Sequence, residues 1–173
     1  MAWNKFLRIP ALLVIIITLV NFAACSYSFT GASVPGHLKT IAILTFNDKS
    51  GSGEFDLGQR LTTQIIQKFI DDNTLMVGDR SGADSMLEGN IISITDAPAV
   101  VSGGDKVSSR RITVTVKVSF KDRIKKKTVF ERDFSAYSDY TVGSDITSVR
   151  KTAIDSAVKL ISEDILLGVV SNW

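Results

Sequence analysis

Hydrophobic and polar residues alternate most regularly between Arg110 and Phe120, which predicts a strand with one buried face. The residues expected to point toward the core are Ile112, Val114, Val116, Val118 and Phe120. A return strand is predicted from Thr128 to Tyr140, with Phe130, Phe134 and Ala136 on one face. The two strands together predict a long antiparallel hairpin whose connection spans residues 121–127.

Two other segments repeat their apolar residues with the period of an α-helix. The first helix is predicted from about Gly53 to Asn73, with Ser52 as its N-cap. Its apolar stripe comprises Leu57, Leu61, Ile65, Ile66, Phe69 and Ile70. The second helix is predicted from about Asp145 to Leu167, with Gly168 as its C-cap. Its stripe comprises Ile146, Val149, Ala153, Ala157, Leu160, Ile161 and Ile165.

The remaining apolar runs are short and predict strands. Lys39–Phe46 suits a buried strand, Leu75–Val77 a brief extended segment, and Ser85–Thr95 a longer strand. Asp96-Ala97-Pro98 is expected to interrupt that last strand with a bend or an edge. The predicted order is β-α-β-β-β-α. It favours an α+β two-layer sandwich in which two amphipathic helices pack on one face of a roughly four-stranded mixed sheet.

The N-terminal run has the three parts of a secretory signal. Lys5 and Arg8 precede an aliphatic stretch from Pro10 to Val20, and small residues lead to Cys25, the only cysteine. The sequence Phe22-Ala23-Ala24-Cys25 resembles a lipobox, with Phe22 where leucine is commoner. We therefore expect a lipoprotein signal peptide over 1–24, a lipidated tether over 25–37 and a single α+β domain over 38–173.

The alternative for this run is a single transmembrane anchor. A spanning helix needs about 20 apolar residues, and the stretch between Pro10 and Asn21 is shorter. No basic cluster follows it to stop transfer. A lipid on Cys25 would anchor the chain without spanning the bilayer, because each buried CH₂ contributes about 0.8 kcal/mol. Ser26 after that cysteine is compatible with sorting to the outer membrane.

Charge argues against nucleic acid as a partner. The chain has 20 basic and 18 acidic residues, and cleavage before Cys25 would remove Lys5 and Arg8 and make the two counts equal. A nucleic-acid-binding domain normally carries a clear basic excess.

Candidate catalytic and metal-binding groups are sparse. His37 is the only histidine, so a histidine-activated nucleophile is improbable, and no histidine and cysteine cluster suits a metal. The adjacent carboxylates Asp71-Asp72 and Glu163-Asp164 do not share a helical face. Ser50-Gly51-Ser52-Gly53 lacks the lysine of a phosphate-binding loop. No enzyme activity and no cofactor other than the covalent lipid is expected.

The hairpin connection carries the densest positive charge. We call its five basic residues the basic tip: Lys121, Arg123, Lys125, Lys126 and Lys127. Such a cluster could contact lipid phosphates or an acidic partner. The alternative is that charge simply keeps a strand tip soluble.

Several segments together resemble the LptE family of lipopolysaccharide-assembly outer-membrane lipoproteins. The resemblance spans Cys25 to Trp173. Its marks are Cys25-Ser26-Tyr27-Ser28-Phe29, Lys39–Ile43 followed by Phe46-Asn47-Asp48, Leu87–Ile91, Val114–Phe120 and Asn172-Trp173. These are patterns of fold and position rather than catalytic signatures.

The resemblance implies a sheet with two helices that plugs an LptD-like β-barrel. It also implies a role in delivering lipopolysaccharide to the outer leaflet, from the periplasmic side of the outer membrane. Two other readings remain open: a periplasm-facing binding lipoprotein that recruits another envelope machine, and a hydrolase with an unrecognised site. Only the LptE reading requires a barrel partner.

Overall fold

The computed structural model describes residues 34–102, 106–143 and 145–171, and the side chains of 100–108 are not described. The predicted signal peptide, Cys25, the loop Gly103-Gly104-Asp105 and Asn172-Trp173 lie outside these residues. The elements in chain order are β1 (Thr40–Ile43), β2 (Asn47–Asp48), α1 (Leu57–Asp72), β3 (Met76–Val77), β4 (Ser85–Ser102), β5 (Lys106–Asp122), β6 (Lys127–Thr141) and α2 (Ile146–Val170).

The strands form one mixed sheet in the order β3-β1-β4-β5-β6, with β2 also paired to β4. β1 runs parallel to both β3 and β4, and β2 runs parallel to β4. The β4–β5 and β5–β6 pairs are antiparallel. The α+β class and the hairpin are thereby confirmed, but the sheet has six strands rather than the four predicted.

The two extra strands are β2 and β3. The predicted strand Lys39–Phe46 ends at Ile43 as β1, and β2 begins at Asn47, beyond the predicted end. The Phe46 N–H donates to the Thr62 hydroxyl of α1 at 2.9 Å instead of joining the ladder. The Phe46 side chain is buried, and the backbone returns to β4 as β2. The short segment Met76–Val77 also pairs with β1 and counts as a strand.

Both helices pack on the face of the sheet that the alternating residues of β5 line. Val114, Val116 and Val118 are fully buried there. The helices run parallel to each other, since Arg60 pairs with Asp155 and Lys68 with Glu163. No helix in the described part of the chain has the length and apolar character needed to cross a bilayer.

Both helices differ from their predicted ends. α1 begins at Leu57 after Asp56, and Ser52 does not cap it. Asp48 accepts hydrogen bonds from the Ser50 N–H and hydroxyl. The hydroxyls of Ser50 and Ser52 accept the N–H groups of Ser52 and Glu54, so the hydroxyl of Ser52 is used before the helix starts. In α2, Gly168 is an internal position rather than a C-cap. An added Cβ there would lie 2.5 Å from the Arg132 guanidinium and 2.8 Å from the Phe134 ring, so glycine lets α2 pack closely against β6.

The predicted stripe of α2 was wrong in part. Ile146, Val149 and Leu160 are exposed, while Ile154, Val158 and Val169 are buried in their place. α2 packs against α1 as well as the sheet, so its buried side is rotated toward α1.

β4 is longer than predicted and passes through Pro98 to Ser102 with three register shifts. Its pairing with β2 ends at Ile91, so none of the described strands lies on its far side at Pro98. A proline can occupy an edge position because no ladder hydrogen bond is lost there. The predicted edge was therefore correct, but the predicted interruption was not.

Candidate functional site

The basic tip lies at the turn between β5 and β6. Residues 123–126 form the turn, and Lys126 closes it with a left-handed backbone (φ 52°). Side chains of the tip line a cleft of about 260 Å³ that includes Lys121, Arg123, Lys126 and Lys127. The hairpin therefore brings these predicted residues together at one end of the sheet.

Two of the five basic residues have structural partners. Lys121 forms an ion pair with Glu88 of β4. The Arg123 guanidinium donates to the carbonyl oxygens of Arg80 and Ala83, at 2.6 and 2.8 Å. These bonds attach the tip to β4 and to the segment that precedes it, and they leave Lys121 and Arg123 less free to bind a ligand.

The other three basic residues are exposed and available. Lys125, Lys126 and Lys127 have no ion pair within the described part of the chain. Ile124, which precedes them, is 52% exposed. The tip thus presents three ammonium groups beside an aliphatic side chain, which suits a ligand with both phosphate and acyl groups.

Asp122 fixes the base of the tip, and sequence reasoning did not single it out. Its side chain is buried. The carboxylate accepts a hydrogen bond from the Lys125 backbone N–H at 2.8 Å, and a second one joins it to His37 Nε2 at 2.7 Å. Burial opposes ionisation of Asp122, but the hydrogen bonds from Lys125 and His37 outweigh it and hold the pKa of the carboxyl below its ordinary value. His37, at the end of the predicted tether, therefore joins the domain beside the tip.

Acid should weaken this anchor. A carboxyl whose folded pKa is lowered stabilises the fold above its unfolded pKa of about 3.9, and that contribution is lost as the pH falls through the folded pKa. Asp122→Asn should lower Tm at pH 7, and the difference from the parent chain should shrink progressively below about pH 4. Thermal melts of both chains between pH 7 and 2.5 measure this. A difference that stays constant with pH would show that ionisation of Asp122 contributes nothing.

A second charged cluster occupies the opposite end of the hairpin. The Asp96 carboxylate accepts hydrogen bonds from Arg110 Nε and from the Tyr140 hydroxyl, both at 2.7 Å. Arg150 Nε also donates to it, at 3.3 Å. Arg150 also pairs with Glu54. Burial would raise the pKa of Asp96, but the bonds from Tyr140 and Arg110 lower it overall. Burial and the bond to Asp96 raise the pKa of Tyr140.

This cluster borders the larger cleft of about 590 Å³, between β6 and the first turn of α2. The guanidinium groups of Arg110 and Arg150 already neutralise Asp96 and Glu54 there. The arrangement holds α2 onto the sheet, and these four charged groups are engaged with one another rather than with a ligand. Among the described residues, no group of three or more histidine, cysteine, aspartate or glutamate side chains could hold a metal ion.

The match to a known family covers most of the domain. The model of a family described as "LptE: Lipopolysaccharide-assembly" matches residues 38–167. The chain belongs to the LptE family. No curated protein matches the chain.

Solved structures share the fold of this LptE-family chain at low identity. A Xanthomonas campestris protein superposes with a TM-score of 0.59 at 10% identity, covering 80% of this chain and 89% of its own. A Chlamydia trachomatis protein superposes with a TM-score of 0.58 at 10% identity, covering 76% of this chain and 95% of its own. Rare lipoprotein B of Shewanella oneidensis superposes with a TM-score of 0.50 at 11% identity, covering 75% of this chain and 92% of its own. These similarities establish the fold alone.

Proposed function

We propose that this chain is a lipid-anchored outer-membrane protein that plugs an LptD-like β-barrel, assists its assembly and helps to deliver lipopolysaccharide to the outer leaflet. The observation that carries the proposal is the family match over residues 38–167. The chain acts by binding rather than by catalysis, and the single histidine is engaged with Asp122. A barrel partner would be held by a broad polar surface with a few aromatic contacts rather than by one charged group.

Within that function, the basic tip is the proposed contact for lipopolysaccharide. Lys125, Lys126 and Lys127 can approach phosphate groups while Ile124 contacts acyl chains. His37 fixes the predicted tether to Asp122, so the chain enters the domain at the end that carries the tip. A tip on that end is suitably placed to meet lipid when the protein is anchored.

The lipid anchor is tested at its predicted attachment atom. Cys25 is the only thiol, so Cys25→Ala should abolish incorporation of a palmitate analogue in cells and release the protein from the membrane fraction. Cys25→Ser is the matched variant, since it replaces the thiol with a hydroxyl of similar size. Labelling that persists in either variant would contradict lipidation at Cys25.

The tip is tested by removing its three unpaired charges together. The triple variant Lys125→Ser, Lys126→Ser and Lys127→Ser should bind purified lipopolysaccharide at least about tenfold more weakly in low salt. The difference should narrow at 0.5 M salt, where the Debye length is only a few ångströms. Titration of labelled lipopolysaccharide by fluorescence anisotropy measures both effects.

The matched control removes three exposed lysines from elsewhere, by Lys49→Ser, Lys151→Ser and Lys159→Ser. It has the same net charge as the tip variant but should bind lipopolysaccharide like the parent chain. Equal losses in the two variants would assign binding to overall charge rather than to the tip.

Co-purification with the barrel tests the plug separately. A chain that binds neither the barrel nor lipopolysaccharide would refute the whole proposal.

A further inference from the structure

The strand β6 forms the long edge of the sheet. It extends from Lys127 to Thr141 and pairs only with β5 among the described strands. The opposite edge strand, β3, has only two residues. An edge strand presents a row of N–H and C=O groups that can pair with another extended chain.

The register shows which main-chain groups of β6 face outward. The Ser109 hydroxyl donates to the Tyr140 carbonyl at 3.4 Å, so that carbonyl points toward β5. Antiparallel pairing alternates, and no register shift occurs between Ser109/Thr141 and Phe120/Phe130. The odd-numbered residues from 131 to 139 therefore direct their N–H and C=O groups away from β5. The 3.2 Å approach of the Thr115 and Ser135 hydroxyls fits this alternation, because side chains lie closest in pairs that share no backbone hydrogen bond.

The helix beside this edge leaves room for an added strand. A cleft of about 330 Å³ lies between residues 138–141 of β6 and the side chains of Val149, Thr152, Ala153 and Ser156 on α2. Farther along the same side of α2, Leu160 and Leu167 are 46% and 56% exposed. Short side chains beside the cleft permit a close approach, and the exposed leucines extend an apolar wall along the edge.

The open face of β6 adds a charge preference. Glu131 and Asp139 are paired with Lys117 and Arg111 of β5. Asp133 is exposed and has no salt bridge of its own within the described residues. A cross-strand neighbour of opposite charge would stabilise an added strand at Asp133, whereas a like charge would destabilise it.

We propose that the groove between β6 and α2 binds an extended segment of a partner protein by strand addition. The segment places apolar residues toward Val149 and Leu160 and a basic residue beside Asp133. Main-chain pairing supplies the affinity and the alternate side chains supply the specificity. A second copy of this chain is the poorer occupant, because the outward-facing positions of β6 from 131 to 139 include no basic side chain to place beside Asp133. The inference is independent of the proposed function, since it uses none of the lysines of the basic tip.

The test uses the full chain in detergent and a fluorescent octapeptide that alternates valine with lysine and threonine. Ser135→Pro removes an outward N–H without breaking a bond to β5, and Ser135→Ala removes the same hydroxyl but keeps the N–H. We expect Ser135→Ala to bind the peptide like the parent chain and Ser135→Pro to bind at least about tenfold more weakly. Asp133→Asn should weaken binding by a smaller, salt-dependent factor.

A second pair of variants tests the helix wall if the proline perturbs the fold. Ser156→Arg should obstruct the groove and weaken binding, while Thr63→Arg on the exposed side of α1 should not. Hydrogen exchange should slow at the Ser135 and Tyr137 amides when the peptide is bound. A peptide of the same composition without alternation should bind more weakly.

Several results would overturn the proposal. They are no binding by the parent chain, equal binding by Ser135→Pro and Ser135→Ala when both are folded, or exchange protection away from β6. Self-association in sedimentation that Ser135→Pro abolishes would assign the edge to a second copy instead. Unchanged lipopolysaccharide binding in these variants would leave the proposed function intact, so the two proposals can fail separately.

Discussion

Val116→Asp is expected to unfold the domain or to lower its Tm by roughly 10 °C or more. Val116 is fully buried between the sheet and the helices, and its register partners Ile91 and Phe134 are also buried. An aspartate there must bury an unpaired carboxylate or take up a proton, and either costs several kcal/mol. Domains have a free energy of unfolding of only about 5–15 kcal/mol, and each kcal/mol shifts Tm by about 2–4 °C at this size.

Thr115→Asp is the matched control for this prediction. Thr115 is adjacent in β5 but faces the open side of the sheet, where its hydroxyl lies 3.2 Å from that of Ser135. Aspartate at that position remains solvated, so the expected cost is about 1 kcal/mol or less. Thermal melts of the two variants side by side decide the matter. Equal falls in Tm would contradict the assignment of one face of β5 to the core and the other to the open side of the sheet.

The hairpin could be predicted from sequence because its signal is local. From Ile112 to Phe120, the polarity of each residue predicts which face of the sheet its side chain lies on. The tip residues are close in sequence, so the turn alone brings them together. The clustering of Lys125, Lys126 and Lys127 needed no knowledge of the rest of the fold. Helices and strands with strong periodicity were predicted for the same reason.

The features that sequence reasoning missed depend on distant partners. β1 ends at Ile43, and the Phe46 N–H then donates to the hydroxyl of Thr62, which lies in α1. Asp122 is tied to His37, which precedes it by 85 positions, and Asp96 is bonded by Tyr140 and Arg150 from other elements. A single sequence shows the polarity of each of these residues but not which of them meet.

Packing around Phe46 also explains why two positions, Gly58 and Gly89, carry glycine, which the sequence alone does not show. Gly58, in the first turn of α1, lies directly against the Phe46 carbonyl. Gly89 of β4 lies under the Phe46 ring, and a Cβ added to Gly89 would be 2.5 Å from the Lys117 carbonyl oxygen. The absence of a side chain at both positions allows the backbone of β2, the helix and the sheet to approach each other. Phe46 then fills the space with a fully enclosed ring.

Gly58→Ala and Gly89→Ala are therefore expected to be among the most destabilising single-methyl additions in this chain. Glycine to alanine inside a helix normally stabilises it by about 1 kcal/mol, so a loss of stability at Gly58 reverses the usual sign. Overpacking against backbone oxygen should cost about 1–3 kcal/mol or more at each site, or roughly 2–12 °C in Tm.

Gly82→Ala provides the control, because an added Cβ there meets nothing within 4 Å. Its Tm should stay within about 2 °C of the parent chain. Denaturant melts should show the same order, with Gly58→Ala and Gly89→Ala losing stability and Gly82→Ala retaining it. If Gly58→Ala proved as stable as the parent chain, α1 could move away from Phe46 at little cost. The contact between Phe46 and α1 would then not determine where the helix sits on the sheet.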